Sequence, residues 1–328
     1  MNIGKLPNSL LEKLVINSIE TRRPETVLAP SIGEDCCALN LDGDLCVVST
    51  DPITAADENA GILSVLISLN DLAASGAEPV GVLTTILLPP EATEEYIGKL
   101  FSNINKTCRD AGIDVLGGHT EVTDSVKRTI IVTTAIGRTA GSRLIRSDGA
   151  MTGDSILMTK SAGLEGTAII CADKKRSLSG ILEPSEICEG IGFISEISVV
   201  REGLASAVPG THAMHDITEG GVLGAVWEIC RASGKGAVIE SDNIPVREIT
   251  KKICRHFEID PMKLISSGSM LIICENSASY DLIEKLNQMG ILCSRIGQIT
   301  DEPGVYLKRE GVVIEIGEPE ADEIYKVL

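Results

Sequence analysis

The stretch Asn59 to Pro79, NAGILSVLISLNDLAASGAEP, limits what this chain can fold into more than any other. Its apolar residues fall on nearly every side of a 3.6-residue helix, so the segment reads as a helix enclosed by protein. One polar stripe breaks it. Ser64, Ser68, Asp71 and Ser75 are spaced four, three and four residues apart and share one face. Asp71 lies toward the C-terminal end, where the helix macrodipole disfavours a carboxylate. Burying it unpaired would cost on the order of several kcal/mol. A cation, a nearby arginine or solvent at the last turn each meets that demand.

The chain has 328 residues, enough for two domains. The Gly/Asp-rich cluster SDGAMTGD, 147–154, is the boundary candidate, dividing residues 1–150 from 151–328. Strands alternate with helices in both halves, an α/β or α+β pattern. In the first half, LCVVSTD (45–51) reads as a strand ending on Asp51, residues 81–89 and 129–138 as further strands, and 113–124 as a strand, then a glycine pair, then polar residues. ATEEYIGKLFSNINKTCRDAG, 92–112, has acids in its first turn and glycine at its end, a helix. In the second half, strands are expected at 154–160, 237–240 and 269–275, and helices at 162–173, 185–207, 246–256 and 277–290. THAMHDITEGGVLGAVWEICRAS, 211–233, reads as a polar loop feeding a helix.

Aromatic residues make up only 2%, so the core must be aliphatic. The net charge of −18 comes with no basic block, which excludes nucleic acid and anionic membrane as partners. Ten cysteines are scattered without a C-x-x-C pair. Cys46, Cys171, Cys230 and Cys274 lie in apolar surroundings and read as buried thiols of a reducing compartment. No signal-peptide pattern and no long apolar run occur, so the expectation is a cytoplasmic protein.

No Walker A or Rossmann fingerprint is present. Asp35, Asp51 and Asp71 each end a regular element or lie in a small-residue loop. Brought together they would suit Mg²⁺, which takes carboxylates plus substrate phosphates; solvated surface acids fit the same spacing. GGHT, 117–120, offers Gly117 and Gly118 for close backbone approach, then His119 and Thr120. His119 and Glu121 share a face if the strand continues. His212 and His215 lack an evident third metal ligand. A helix opening at Gly220 or Gly221, after Asp216, would present N–H groups to an anion. KSAGLEGT, 160–167, puts Lys160 at a strand end before a glycine-led helix, either an anion cradle or tight packing.

Taken in order, GED near residue 33, STDP at 49–52, NDLAASGAEP at 70–79, GGHTEV at 117–122, MTKSAGLEGTA at 158–168 and HDITEGGV at 215–222 resemble the aminoimidazole ribonucleotide (AIR) synthetase, or PurM-like, superfamily. The resemblance spans essentially the whole chain and is nearest the HypE-like branch. It implies an N-terminal α/β domain that dimerises through a shared β-barrel, and a C-terminal α+β domain. It also implies ATP in a cleft, with Mg²⁺ held by Asp35, Asp51 and Asp71 and with Asn70 alongside. His119, Thr120 and Lys160 become candidates for phosphate or substrate contact, and Asp216, Gly220 and Gly221 for the cleft lining. The implied chemistry is ATP-dependent activation of an oxygen of a small molecule or carboxamide, in hydrogenase-type maturation with a partner protein.

The sequence departs from the pattern at two places. No cysteine follows Cys293, whereas HypE proteins end in one, and His119 replaces a family acid. Two further readings follow. One is an ATP-binding assembly or regulatory partner without turnover. The other is a small-molecule kinase resembling thiamine-monophosphate kinase.

Overall fold

A computed structural model of the chain describes residues 4–5, 10, 13–28, 38–39, 45–54, 59–139, 144–319 and 321–328. The apolar stretch forms helix α1, Ala60–Ala74. It is buried as its composition demands, with Leu63, Val65, Leu69 and Leu72 at 1% exposure or less. Each such side chain contributes about 2 kcal/mol by leaving water. The helix stops well short of Pro79. Gly76 takes φ 76°, Gly76 N–H donates to Ala73 O and Ala77 N–H to Leu72 O, both at 2.9 Å. That pair of bonds around a left-handed glycine is a Schellman end. Ser75 therefore lies past the last turn, and Glu78 already begins a strand.

The chain divides into two compact units, residues 1–72 with 77–143, and residues 73–76 with 144–328. The first is built on a five-stranded sheet of order β1-β6-β5-β7-β4. Its strands are β1 (Gly4–Lys5), β4 (Cys46–Ile53), β5 (Glu78–Leu88), β6 (Asp114–Val122) and β7 (Ile130–Arg138). β2 (Thr26–Leu28) and β3 (Ala38–Leu39) form a separate antiparallel pair. β5 and β6 run parallel, joined through helix α2 (Glu94–Ala111). Thr93 caps α2 by accepting the Tyr96 N–H at 3.2 Å, and Gly112 ends it at φ 71°. Its Ile97, Leu100, Phe101, Ile104 and Cys108 make one buried stripe.

Residues 22–26 are tied to this unit by buried charge. Asp114, fully buried, accepts the Arg22 N–H at 2.5 Å, the Arg23 N–H at 3.1 Å and the Thr26 hydroxyl at 2.9 Å. Glu25 lies 3.2 Å from both Arg23 and Arg138, which also reach Glu78 at 3.2 and 3.5 Å.

The second unit has a seven-stranded sheet of order β14-β13-β10-β12-β8-β11-β9. The strands are β8 (Ser155–Thr159), β9 (Thr211–Asp216), β10 (Gly236–Glu240), β11 (Met270–Cys274), β12 (Cys293–Thr300), β13 (Gly304–Arg309) and β14 (Val312–Ile316). β8 and β11 are buried along their whole length, as their unbroken apolar runs require. The expected helical region at 185–207 is three pieces rather than one: α4 (Pro184–Gly192), a 3₁₀ turn, and α5 (Val200–Ser206), following α3 (Leu164–Asp173). α6 (Gly221–Ser233) buries Val222, Val226 and Ile229 against one face of the sheet and packs its half-buried Trp227 there. α7 (Glu248–Phe257) joins α3 in a satellite core with Ile324 and Val327, and α8 (Ser279–Gln288) brings Leu282 and Leu286 to another.

Residues 211–216 form strand β9 where a loop was expected. The strand survives its polar composition because His212 pairs with Asp154 at 2.8 Å and His215 with Glu228 at 2.9 Å. Cys171, Cys230 and Cys274 are buried as expected, whereas Cys46 is exposed. Among the described residues no helix is long and apolar enough to cross a membrane.

Burial would raise the Glu25 carboxyl, but a backbone hydrogen bond, Arg23 and Arg138 outweigh it and hold it below the usual range. Its contribution is thus complete above the unfolded pKa of about 4.3 and is lost as pH falls through the lower folded value. Glu25→Gln should cost about 2 kcal/mol at pH 7. That is less than the roughly 3–5 kcal/mol of a fully buried pair, since Arg138 is 31% exposed. Urea titrations from pH 7 down to pH 3 should show the gap to wild type closing; a constant gap would refute this account.

Candidate functional site

Helix α1 lays its polar stripe on the first sheet. The Ser68 hydroxyl donates to Thr133 O at 3.1 Å, and the Ser49 hydroxyl donates to the Asp71 carboxylate. The acid that the sequence left in search of a partner is met by a strand hydroxyl. Ser49 and Asp51 are two apart on β4, where exposure alternates, so both face the helix.

Strand register then carries this face across the sheet. Asp51 pairs with Thr133, Thr133 with Thr84, and Thr84 with Gly118, one row over four strands. Thr133 Oγ1 in this row is buried and has no hydrogen-bond partner among the described residues. Gly118 can only be glycine, since a Cβ would stand 1.9 Å from Thr84 O. Thr120, buried two residues on, faces the same side. Asn70 is fully buried in α1.

His119 belongs to the other face. Its row is Pro52, Val132, Thr85 and His119. Its Nε2 lies 3.1 Å from Glu121 Oε2, so the two share a face as the strand period requires. The sheet therefore separates His119 from Asp51 and Asp71, because adjacent strand residues point to opposite sides. Asp35 lies outside the described residues. Among those described, no three His, Cys, Asp or Glu side chains are grouped to hold a metal ion.

The second unit gathers the remaining candidates. Lys160, the residue after β8, has φ 53° and is already saturated. Its ammonium donates to Glu196 O at 2.8 Å and Ser198 O at 2.6 Å, and pairs with Glu202, only 2% exposed, at 2.6 Å. An ammonium has three donors, so a ligand at Lys160 would have to displace one of these partners.

At the start of α6 the expected anion cradle is taken by the chain itself. Gly220 N–H donates to Asp322 Oδ2 at 2.8 Å, and Gly221 N–H to Thr218 O at 3.1 Å. Asp322 was not legible in advance, because it comes from 102 residues away. Asp216 ends β9, buried, with Oδ1 3.6 Å from His215 Nδ1. Burial alone would lower the His215 imidazole; Asp216 and Glu228 push it up to about 10. Glu165, in the first turn of α3, is fully enclosed. Burial pushes its carboxyl up to about 7, helped by the charges of Asp322, Glu219 and Asp216 and opposed by a hydrogen bond from the Ser267 hydroxyl.

Comparison with known proteins follows the same division. The AIR synthase related protein N-terminal domain matches residues 33–139, and the corresponding C-terminal domain residues 152–310. A putative hydrogenase expression/formation protein of Methanocaldococcus jannaschii is 26% identical over 321 residues, covering 95% of this chain and 91% of that protein. Thiamine-monophosphate kinase of Pyrococcus horikoshii is 29% identical over 279 residues, covering 83% and 82%. Among solved structures, Escherichia coli HypE superposes with TM-score 0.83 at 23% identity, over 98% of this chain and all of that one. A HypE hydrogenase maturation protein in complex with ATP gives 0.81 at 20%, over 96% and 95%. At these identities the solved structures speak to the fold.

The saturated ammonium has a direct check. Lys160→Met leaves Glu202 buried and unpaired, which should cost about 3–5 kcal/mol. Adding Glu202→Gln should return part of the loss in urea titrations. If Lys160→Met weakens ligand binding yet leaves stability intact, the structural role of Lys160 fails.

Proposed function

Because the chain belongs to the AIR synthase related family in both of its domains, we propose that it is a cytosolic ATP- and Mg²⁺-dependent enzyme of HypE-like type. It would phosphorylate an oxygen of a small carboxamide or carbonyl substrate. The observation that carries this reading is the Ser49–Asp71 contact beside Asp51, on a sheet face roofed by a rigid helix. Every donor there is an oxygen, the set that a hard cation prefers. Thr133 Oγ1, buried and unpartnered in the same row, supports a further ligand at that face.

In this reading Asp51, Asp71 and Asp35 would hold Mg²⁺, which would neutralise phosphate charge, and Asn70 is proposed to assist them. Gly117 and Gly118 keep the β6 backbone bare for close approach. ATP supplies the phosphoryl group that turns a carbonyl oxygen into a leaving group. The protein's part is placement and charge neutralisation. Within the second unit Lys160 acts by positioning the β8 end.

Cys293 is buried in β12, its thiol pushed up to about 12 by burial, and is no nucleophile. The relatives extend the reading to partners. A HypE–HypF complex has been solved for one neighbour of this fold, with TM-score 0.71 over 86% of this chain and 92% of that one. A maturation partner is therefore part of the proposal. So is a homodimer across the outer face of the first sheet, where Val48 is 55% exposed.

Calorimetry with ATP and Mg²⁺ tests the site: Asp71→Ala should weaken binding at least tenfold, a loss of about 1.4 kcal/mol or more. Undiminished binding would remove Asp71 from it. Incubation with ATP and a panel of carboxamides and phosphate acceptors then separates the activities. ADP release with a carboxamide fits the main reading, and with one phosphate acceptor a kinase like the Pyrococcus relative. Tight binding with no turnover points to a regulatory partner.

A further inference from the structure

The seven-stranded sheet ends on β9 at one side and on β14 at the other, and the two edges differ in chemistry. Along β9, His212 meets Asp154 and His215 meets Glu228, polar pairs of the kind that blunt an edge against further strands. β14 reads VVIEI, with no proline, no lysine and no bulge in its pairing with β13. Val312, Val313 and Ile314 are 58%, 59% and 41% exposed, three consecutive apolar residues on an open edge. An edge left in this state is a template for another strand.

The hairpin turn says which backbone groups are on offer. Glu310 and Gly311 take φ 51° and 80°, the left-handed pair of a two-residue turn. Such a turn is closed by a hydrogen-bonded pair, here Arg309 with Val312. The bonded pairs that follow are Leu307 with Ile314 and Val305 with Ile316. The N–H and C=O groups of Val313 and Glu315 therefore point away from β13, and no backbone partner meets them among the described residues. Their side chains lie on the sheet face of Lys308 and Tyr306. Val312, Ile314 and Ile316 share the opposite face with the buried Val305 and Leu307.

We infer that β14 is an assembly surface whose occupant is β14 of a second copy of this chain, running antiparallel about a two-fold axis at Ile314. In that register Val313 lies opposite the second copy's Glu315, so the outward N–H and C=O groups of each meet their counterparts. Ile314 lies opposite Ile314 and Val312 opposite Ile316, apolar against apolar. The second copy's Glu315 comes to rest in the row of Val313 and Lys308, beside a cation rather than an acid. The strand is thus complementary to itself in hydrogen bonds, apolar contact and charge, as a two-fold interface requires. Moving the axis to Glu315 would set two carboxylates face to face, and moving it to Val313 would set Ile316 against Glu310. This surface belongs to the second unit and is separate from the homodimer proposed through the first sheet.

Sedimentation velocity of the full chain at rising concentration reads the association. One short strand pair falls below the roughly 1,200 Å² of a stable interface, so the step should depend on concentration. Val313→Pro removes an outward N–H and spares the ladder to β13, and should weaken the step by about tenfold or more. Val313→Glu places an acid opposite Glu315 twice, whereas Val313→Lys places a cation there. The lysine variant should therefore associate about tenfold or more tightly than the glutamate variant. Circular dichroism confirms folding; if the proline variant misfolds, the contrast between lysine and glutamate decides.

Identical sedimentation of wild type and folded Val313→Pro overturns the inference and leaves the edge to a strand of another protein. Equal association of Val313→Glu and Val313→Lys overturns it as well, because the second copy's Glu315 is then not opposite Val313. Association through the first sheet is blind to all three replacements, so the presence or absence of that dimer leaves this result untouched.

Discussion

The first unit depends on one enclosed helix carrying one acid. Helix α1 has to be enclosed, because its apolar residues fall on nearly every side, and Asp71 goes with it part-buried. The Ser49 hydroxyl makes this tolerable, and in doing so fixes β4 against the helix. From that contact the two-residue period of the strands determines the rest. Asp51, Thr133, Thr84 and Gly118 fall into a row on the helix side, and His119 onto the reverse. One hydrogen bond thereby sorts the candidate residues into two groups.

Much of this was legible beforehand. The burial of the helix within 59–79, the β-branched strand at 45–51 and the helix ending at Gly112 follow from composition, periodicity and terminal residues alone. The stripe of Ser64, Ser68 and Asp71 could be read from helical spacing. Its partner could not, since Ser49 is 22 residues away and a hydroxyl gives no pattern. The side taken by His119 was hidden for a different reason. Strand alternation tells which residues share a face, but only the cross-strand register tells which face the helix covers.

The second unit shows a harder limit. THAMHD contains two histidines and an acid and reads as loop, yet it is the edge strand β9, since both imidazoles find carboxylates. The glycine pair at 220–221 was recognisable as a place for an anion. That the anion is Asp322, from the far end of the chain, is a long-range fact with no local trace. Glu165 is the same case: GLEGT looks like a helix start, and nothing in it announces that the carboxylate is sealed from water.

The placement of Trp227 has a practical side. It is the chain's one tryptophan, on α6 against the core of the seven-stranded sheet. Indole emission therefore senses its surroundings in the second unit and is blind to a separate melting of the first. Fluorescence and far-ultraviolet dichroism recorded together become a two-channel readout. Coincident transitions would mean that the units unfold as one cooperative block. Divergent transitions would show how far each stands alone.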